Sequence, residues 1–319
     1  MYNKFSDDDN ICLQQPVADS QVDIFRKTVK WKELAPLPVC RTGPTAVLLG
    51  GVVYVGGGFE GRNIKDYKNS YRLDVYNLTT NQWSSSPITT PYCHFAMTVL
   101  DDKLVTAGGT TKNDEVVKKV LVLNAGQWKD YSEMPTARCH ATAVACHSML
   151  IVVGGTTIVE DEWTRVSTTE LLDTTNGCWY TCNNLPSPHQ QLKAAIMNDK
   201  VYLLGGFDDD VNPSPQVFVA SLDTLSTHQL NWQSAPNTPW CLSAPVILNK
   251  FLLTVGGWQH STTADVCIFN PSTCRWKCLA NIPAARSLAA VVGVADNILI
   301  IGGTSKGKYS NAVWIGMFE

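Results

Sequence analysis

The strongest constraint on the fold is an apolar run that ends in two glycines and recurs six times along the chain. The runs span Val53–Gly58, Leu104–Gly109, Leu150–Gly155, Val201–Gly206, Leu252–Gly257 and Ile298–Gly303. Their second glycines follow one another at steps of 51, 46, 51, 51 and 46 residues. Such a period is typical of proteins in which each repeat is one supersecondary unit. The pattern therefore predicts an array of six equivalent units.

A tryptophan and then a proline follow each of the first five glycine pairs in phase. The tryptophans are Trp83, Trp128, Trp179, Trp232 and Trp276, and the prolines are Pro87, Pro135, Pro186, Pro236 and Pro283. Between the glycines and the tryptophan lies a further β-like run, and a small-residue apolar run precedes the glycines. Continuous apolar runs of this length favour strands that are buried on both faces. Each unit is predicted to contain four short strands, in an all-β fold.

The glycine pair and the tryptophan have separate physical reasons to recur. Glycine adopts a positive φ at little cost, which suits a sharp turn at the end of a strand. An indole is large enough to fill the gap between two stacked sheets. We expect the tryptophan to fill that gap, and we expect the glycines to leave room for it.

The combined pattern resembles the kelch repeat. Gly-Gly, a third-strand Tyr or Phe, Trp and then Leu-Pro-x-x-Arg recur at about 50 residues over residues 28–319. His94, Gln191 and Leu242 replace the arginine in three repeats, and several repeats lack the third-strand aromatic. The resemblance implies a six-bladed β-propeller built from four-stranded kelch blades.

The two ends of the chain are predicted to complete one sheet. The last repeat has a third strand but no fourth-strand tryptophan, whereas the segment around Trp31 is a fourth strand without the first three. Residues 28–34 are therefore expected to complete the sixth blade, which would leave no open edge. Residues 1–27 are predicted to be a flexible N-terminal tail.

Composition excludes several classes of function. The net charge is −3 and the chain has no basic stripe, so a nucleic-acid partner is not expected. No apolar run reaches the 18 residues of a membrane span, and the acidic start is not a secretory signal. We expect a monomeric cytoplasmic protein whose 11 cysteines are reduced thiols.

The residues at the start of each inner strand are candidates for partner binding. Aligned after Pro-x-x, they are Arg41, His94, Arg138, Gln191, Leu242 and Arg286. Three arginines around a channel mouth would suit carboxylates or phosphates. The alternative is that each arginine pairs with a carboxylate or backbone carbonyl of a neighbouring blade, and the sequence leaves both interpretations open.

The long segments after the glycine pairs are a second set of candidates. They include Trp163 within an acidic stretch, the acidic run Asp208–Asp210, and Trp258 directly after Gly257. Exposed tryptophans are frequent interface anchors. The alternative is that both indoles fold back into loop cores.

No catalytic constellation is visible, so the chain is predicted not to be an enzyme and to need no metal or other cofactor. His94, His140 and His189 begin consecutive inner strands and are weighed as metal ligands, but structural histidines are more common. Cys40, Cys93 and Cys241 are weighed as a thiol sensor against ordinary buried thiols.

The resulting hypothesis is a protein-interaction module that binds an acidic protein or peptide at one face. By resemblance its role would be adaptor or scaffold, in substrate recognition for ubiquitin ligation or in cytoskeletal binding. The alternative is a kelch-type enzyme acting on a sugar or other small molecule at the channel mouth.

Overall fold

The computed structural model describes residues 28–84, 87–271 and 273–318. The predicted tail at residues 1–27 lies outside the described residues. Apart from the 3-10 turn Leu225–Thr227, the regular elements in the described ranges are all β-strands. The prediction of an all-β chain is confirmed.

Six antiparallel sheets account for most of these strands. In the first, Thr45–Leu49, Val52–Gly56, Arg72–Asn77 and Gln82–Trp83 pair in order, and Ile88–Thr89 also pairs with Arg72–Asn77. The second contains Ala96–Leu100, Lys103–Ala107, Lys119–Asn124 and Gln127–Glu133. The third contains Thr142–Cys146, Met149–Val153, Thr169–Asp173 and Cys178–Cys182.

The remaining three sheets follow the same order along the chain. The fourth contains Lys193–Met197, Lys200–Leu204, Val217–Ser221 and Gln233–Ala235. The fifth contains Ala244–Leu248, Phe251–Gln259, Ser261–Asn270 and Arg275–Asn281. The sixth contains Ala290–Val294, Asn297–Ile301, Val313–Phe318 and, at its edge, the first strand of the chain, Val29–Glu33.

Short strands in the segments after the glycine pairs form three small sheets. They are Arg41–Thr42 with Phe59–Glu60 and Lys68–Asn69, Thr156–Val159 with Glu162–Arg165, and Thr304–Ser305 with Lys308–Tyr309.

The pairing of the first strand with the last is in register over five residues. Val29 lies opposite Phe318, and Trp31 lies opposite Gly316. The first strands of the six sheets, hereafter the inner strands, contact one another in sequence order, and the sixth inner strand contacts the first.

The core is divided among the gaps between neighbouring sheets. Five apolar clusters each fill the gap between one sheet and the next in chain order. A sixth cluster fills the gap between the sixth sheet and the first. The second strands are almost wholly buried, as in Met149–Val153, because both faces of each sheet are covered.

The tryptophans do fill these gaps. Trp179 of the third sheet packs in the cluster shared with the second sheet, and its indole N–H donates to Ser132 Oγ at 2.9 Å. Trp83 of the first sheet reaches the sixth in the same way, donating to the Ala35 carbonyl at 2.9 Å. The predicted role of the indole is confirmed.

The glycine pairs leave room for backbone rather than for the indole. Both glycines of each pair have positive φ, for example 66° at Gly108 and 116° at Gly109. A Cβ at Gly108 would collide with the carbonyl oxygen of Arg138, which belongs to the next repeat. The expectation that these glycines accommodate the tryptophan was wrong, because the next repeat's chain crosses closely at this turn.

Cys267 and Cys278 depart from the expected reduced state. Cys267 and Cys278 are directly opposite on adjacent strands of the fifth sheet, with Cα atoms 3.8 Å apart, and they form a disulfide. The sequence did not indicate this pair, because the two residues are 11 apart and meet only across paired strands. Cys178 and Cys182, which share one strand, are free thiols.

Candidate functional site

A ring of six residues surrounds one end of the channel between the inner strands. Each lies two residues before an inner strand and has a φ between 53° and 62°; we call these residues the mouth ring. They are Gly43, His94, His140, Gln191, Leu242 and Leu288. Backbone hydrogen bonds join neighbouring members, from His140 N to His94 O at 2.8 Å and from Gln191 N to His140 O at 2.7 Å.

The mouth ring differs from the ring that the sequence predicted. His94, Gln191 and Leu242 belong to it, but Arg41, Arg138 and Arg286 lie two residues earlier in their repeats. The equivalents of the arginines in the other repeats are Tyr92, His189 and Trp240. The sequence-based prediction took the third residue after a proline in each repeat. That rule selects a mouth-ring residue in some repeats and the residue two positions earlier in others, because the connecting segments differ in length.

The three arginine side chains are buried and bind groups of their own repeats. Arg138 is 0% exposed, lies 2.8 Å from Glu170 and donates to the Gly154 carbonyl at 3.0 Å. Arg41 is equally buried and lies 2.5 Å from Asp74. These arginines are therefore paired inside the protein, as the alternative interpretation expected, but with groups of their own repeat rather than of a neighbouring one.

Arg286 has no carboxylate among its described contacts. Its guanidinium donates to the Gly302 carbonyl at 2.7 Å and stacks on the Trp314 ring at 4.1 Å. Burial lowers the pKa of Arg286 to about 10. A partner has no direct access to these three cations, so the clamp predicted from Arg41, Arg138 and Arg286 is not formed at the mouth.

Two of the three candidate histidines come together. The rings of His94 and His140 lie 4.2 Å apart, and His94 Nε2 is 3.0 Å from Asn69 Oδ1. Burial lowers the pKa of His94 to about 4 and that of His140 to about 3, so both are neutral at pH 7. His189 instead lies inside the fourth repeat, with Nε2 3.1 Å from Ser214 Oγ.

No group of three or more His, Cys, Asp or Glu side chains is arranged to hold a metal ion within the described ranges. Cys93, Cys139 and Cys241 occupy equivalent positions just before the mouth ring, whereas Cys40 is offset from them. Burial raises the pKa of the Cys139 thiol to about 12, which keeps it protonated.

The mouth opens into a cavity of about 250 Å³ lined by all six inner strands. The first residues of those strands are Thr45, Ala96, Thr142, Lys193, Ala244 and Ala290. Lys193 is therefore the one charged residue among small ones, and its Nζ lies 3.5 Å from the Pro44 carbonyl across the channel. Burial lowers its pKa to about 8.

Sequence reasoning missed Lys193. The available signal was a lysine at a position where the other five repeats have Thr or Ala, at the start of a strand that faces the channel. Aligning the repeats on the inner strands rather than on the proline would have found it.

The segments after the glycine pairs surround the same mouth; we call them the post-glycine loops. They are residues 59–71, 110–118, 156–168, 207–216, 258–264 and 304–312. The first residue of each pairs with the residue just before the mouth ring, as Cys139 does with Thr156 and Cys241 with Trp258. Loops and mouth therefore share one face.

Large apolar side chains are exposed on these loops. Of eight such side chains in the described ranges, seven lie there: Ile64, Tyr67, Ile158, Val159, Trp163, Val211 and Trp258. Trp163 is 51% exposed and Trp258 is 37% exposed, so neither is folded into a loop core. The hairpin that carries Trp163 is held to the next loop by Arg165, which donates to the Asp209 carbonyl at 2.8 Å.

Charge is distributed unevenly around the mouth. Two loops on one side carry the exposed side chains of Arg62, Lys65, Lys68, Lys306 and Lys308, which we call the basic patch. These loops are joined by a hydrogen bond from Tyr309 N to the Arg62 carbonyl at 2.9 Å. The loops of the third and fourth repeats carry Glu160–Glu162 and Asp208–Asp210.

In the part of the chain that the structure describes, no helix is long and apolar enough to span a membrane.

Comparison with known proteins gives consistent matches. The family model of the KLHDC2/KLHL20/DRC7 Kelch-repeats domain matches residues 94–303, and the Kelch motif matches residues 40–88. Among solved structures, the one titled "Structure of YjhT" superposes with a TM-score of 0.72 at 14% identity, covering 90% of this chain and 99% of that one. That likeness shows a shared fold.

Relatives of known name match only over part of their length. Kelch-like protein 40 of Xenopus laevis is 30% identical over 50% of this chain and 26% of its own length. Acyl-CoA-binding domain-containing protein 5 of Arabidopsis thaliana is 22% identical over 96% of this chain and 50% of its own length. Beta-scruin of Limulus polyphemus is 23% identical over 84% of this chain and 31% of its own length.

The chain thus spans half or less of these relatives. The repeat period, the antiparallel four-stranded sheets and the family-model match over residues 94–303 agree with one another. The chain belongs to the kelch-repeat family of β-propeller proteins.

Proposed function

We propose that the six sheets are the blades of a closed six-bladed propeller, sealed by Val29–Glu33, and that the chain is a protein-interaction module. Its partner binds across the post-glycine loops. The observation that carries this proposal is the concentration of exposed large apolar side chains on those loops, seven of eight in the described ranges. Exposed apolar residues grouped on one face are typical of interaction sites.

Trp163 and Trp258 are the proposed anchors, because an exposed indole buries a large area at low entropic cost when a partner covers it. His94 and Gln191 of the mouth ring complete the proposed surface at its centre. Arg41, Arg138 and Arg286 are excluded from it because their side chains are buried.

The partner presents an acidic segment to the basic patch. Lys68 lies 3.7 Å from the Glu60 carboxylate, and the carboxylate of Asp66 is engaged by the backbone N–H groups of Arg62 and Asn63, at 3.0 and 2.8 Å. The other exposed cations of the basic patch have no carboxylate among their described ion pairs and are available to steer an acidic surface. The roles that resemblance suggests are recognition of a substrate for ubiquitin ligation and binding to the cytoskeleton.

The test compares capture of proteins by the intact chain with capture by a Trp163→Ala, Trp258→Ala double variant. Tyr131→Ala is the matched control, since Tyr131 is 41% exposed on the outer strand of the second sheet, away from the loops. We expect specifically captured proteins to be lost with the double variant and kept with the control. Equal losses, or no loss, would place the interaction elsewhere.

Cosedimentation with filamentous actin addresses the cytoskeletal role directly. We expect binding to weaken steeply between about 50 and 200 mM salt and to be reduced by the double change Lys306→Glu, Lys308→Glu. Both results together would indicate that the basic patch contacts the filament. The complementary control is Lys250→Glu, which changes an exposed lysine in a turn of the fifth sheet.

A further inference from the structure

The wall of the channel cavity has one positively charged side chain and no negatively charged one. Its titratable lining residues are His94, His140 and Lys193, and its lining includes no Asp or Glu. Because both imidazoles are neutral at pH 7, the net charge of the wall comes from Lys193. A buried charge without a counter-charge is costly, and proteins usually pair it.

The contacts of Lys193 do not supply that pairing. Its described hydrogen bond, to the Pro44 carbonyl, is long at 3.5 Å and reaches across to the first repeat. The lowered pKa of Lys193 has burial as its cause, with no carboxylate acting in the opposite direction. Among the described residues, the ammonium group therefore has one weak acceptor in the channel wall.

Hydrogen-bonding groups surround the same space. The Gln191 side chain belongs to the mouth ring next to Lys193, and His140 interacts with the charge of Lys193 closely enough that this charge lowers the His140 pKa further. An amide and an imidazole can each donate one N–H to an oxygen ligand.

We propose that this cavity is a binding site for a carboxylate, which pairs with Lys193 Nζ and accepts hydrogen bonds from Gln191 and His140. A single positive charge matches a monoanion, whereas a phosphate dianion would bring one uncompensated negative charge into the channel. A volume of about 250 Å³ admits a small organic acid or one acidic side chain.

The carboxylate has two possible sources with the same chemistry: a free small acid, or an acidic side chain that a partner inserts through the mouth. Titration of the full chain with acetate, propionate, inorganic phosphate and the capped peptide acetyl-Ala-Glu-Ala-amide distinguishes them. Stronger binding of the free acids assigns a small ligand, and stronger binding of the peptide assigns a partner side chain. None of these probes requires the post-glycine tryptophans, so this test fails or succeeds independently of the proposed protein interaction.

The decisive variant is Lys193→Met, with Lys103→Met as control because Lys103 is exposed at the start of the second strand of the second sheet and lies outside the cavity. Isothermal titration at pH 7 should show carboxylate binding reduced at least about tenfold by Lys193→Met and unchanged by the control, the size expected for losing one charge-assisted contact. Lys193→Met is expected to fold, since it removes a half-buried charge that has no carboxylate partner among the described residues.

The pH dependence supplies a second readout. With a pKa of about 8, Lys193 is mostly protonated at pH 7 and mostly neutral at pH 9, so carboxylate affinity should fall about tenfold between them. The histidines do not contribute, because their pKa values lie well below this interval. Absence of carboxylate binding, equal or tighter binding of phosphate, or full affinity in Lys193→Met would overturn the proposal.

Discussion

The backbone amide of Gly43 donates a hydrogen bond to the carbonyl of Leu288 at 2.9 Å. These residues precede the first and the sixth inner strands, and they are related just as His140 is to His94 in the third and second repeats. The first and last repeats are therefore neighbours in the same sense as consecutive ones. This relationship, with the strand pairing of Val29–Glu33, supports the proposed closed ring of blades.

The strand pairing at the termini can be tested at Gly316. A Cβ at this position would lie 2.5 Å from the Trp31 indole on the opposing strand. Gly316→Ala should lower the free energy of unfolding by about 1–3 kcal/mol, as overpacking usually does. Urea unfolding of Gly316→Ala, Trp31→Ala and the double variant completes a cycle. Simple additivity of the two losses would show that the two residues do not meet.

Arg138 is expected to be structural. Arg138→Ala leaves the Glu170 carboxylate buried without its partner, so unfolding free energy should fall by about 3–5 kcal/mol. Arg275→Ala, which removes an exposed arginine from the outer strand of the fifth sheet, should change it by less than about 0.5 kcal/mol. Chemical denaturation measures both. An Arg138→Ala variant that stays stable but no longer binds a protein partner would show instead that Arg138 contacts that partner directly.

Acidification should destabilise the protein through the mouth histidines. His94 and His140 stay neutral in the folded state down to pH values of about 4 and 3, whereas unfolded histidine takes up a proton near pH 6.5. Their contribution is fully present above pH 6.5 and is lost as the pH falls towards 4, at up to about 1.4 kcal/mol per pH unit for each histidine.

Urea unfolding between pH 7 and pH 4 measures this loss. His140→Asn should make the pH dependence shallower, and asparagine tolerates the left-handed backbone at this position, where φ is 53°. An unaltered slope in His140→Asn would mean that other groups govern the acid response.

The Cys267–Cys278 bridge should stabilise the fifth sheet. The bridged residues are 11 apart in sequence, and closing a loop of that size is worth about 3 kcal/mol in the chain-entropy account. Cys267→Ala with Cys278→Ala should lower the unfolding free energy by about that amount, while Cys178→Ala, at an exposed free thiol, should not.

Peptide mapping without reduction gives the independent check on this bridge. A linked peptide containing Cys267 and Cys278 is expected, and alkylation of both thiols in the native protein would refute it.

Periodicity alone determined the architecture of this chain. The six glycine pairs and the tryptophans that follow them mark equivalent points, since a strand buried on both faces must be apolar throughout and must end where only glycine can turn. The same pattern located Trp31 in a strand that lacks its own sheet, and the exposed Trp163 and Trp258 in long segments after the glycines.

Only the tertiary structure decided which polar residues face the channel. A shift of two residues separates the buried Arg138 from His140 at the mouth, and connections of unequal length hid that shift in the sequence. The carboxylates of Asp74 and Glu170 reach their arginines from other strands of the repeat, so their pairing depends on strand register. Strand register likewise places Cys267 opposite Cys278. The assembly of the sheets around the channel decides that Lys193 faces the Pro44 carbonyl and, among the described residues, no carboxylate.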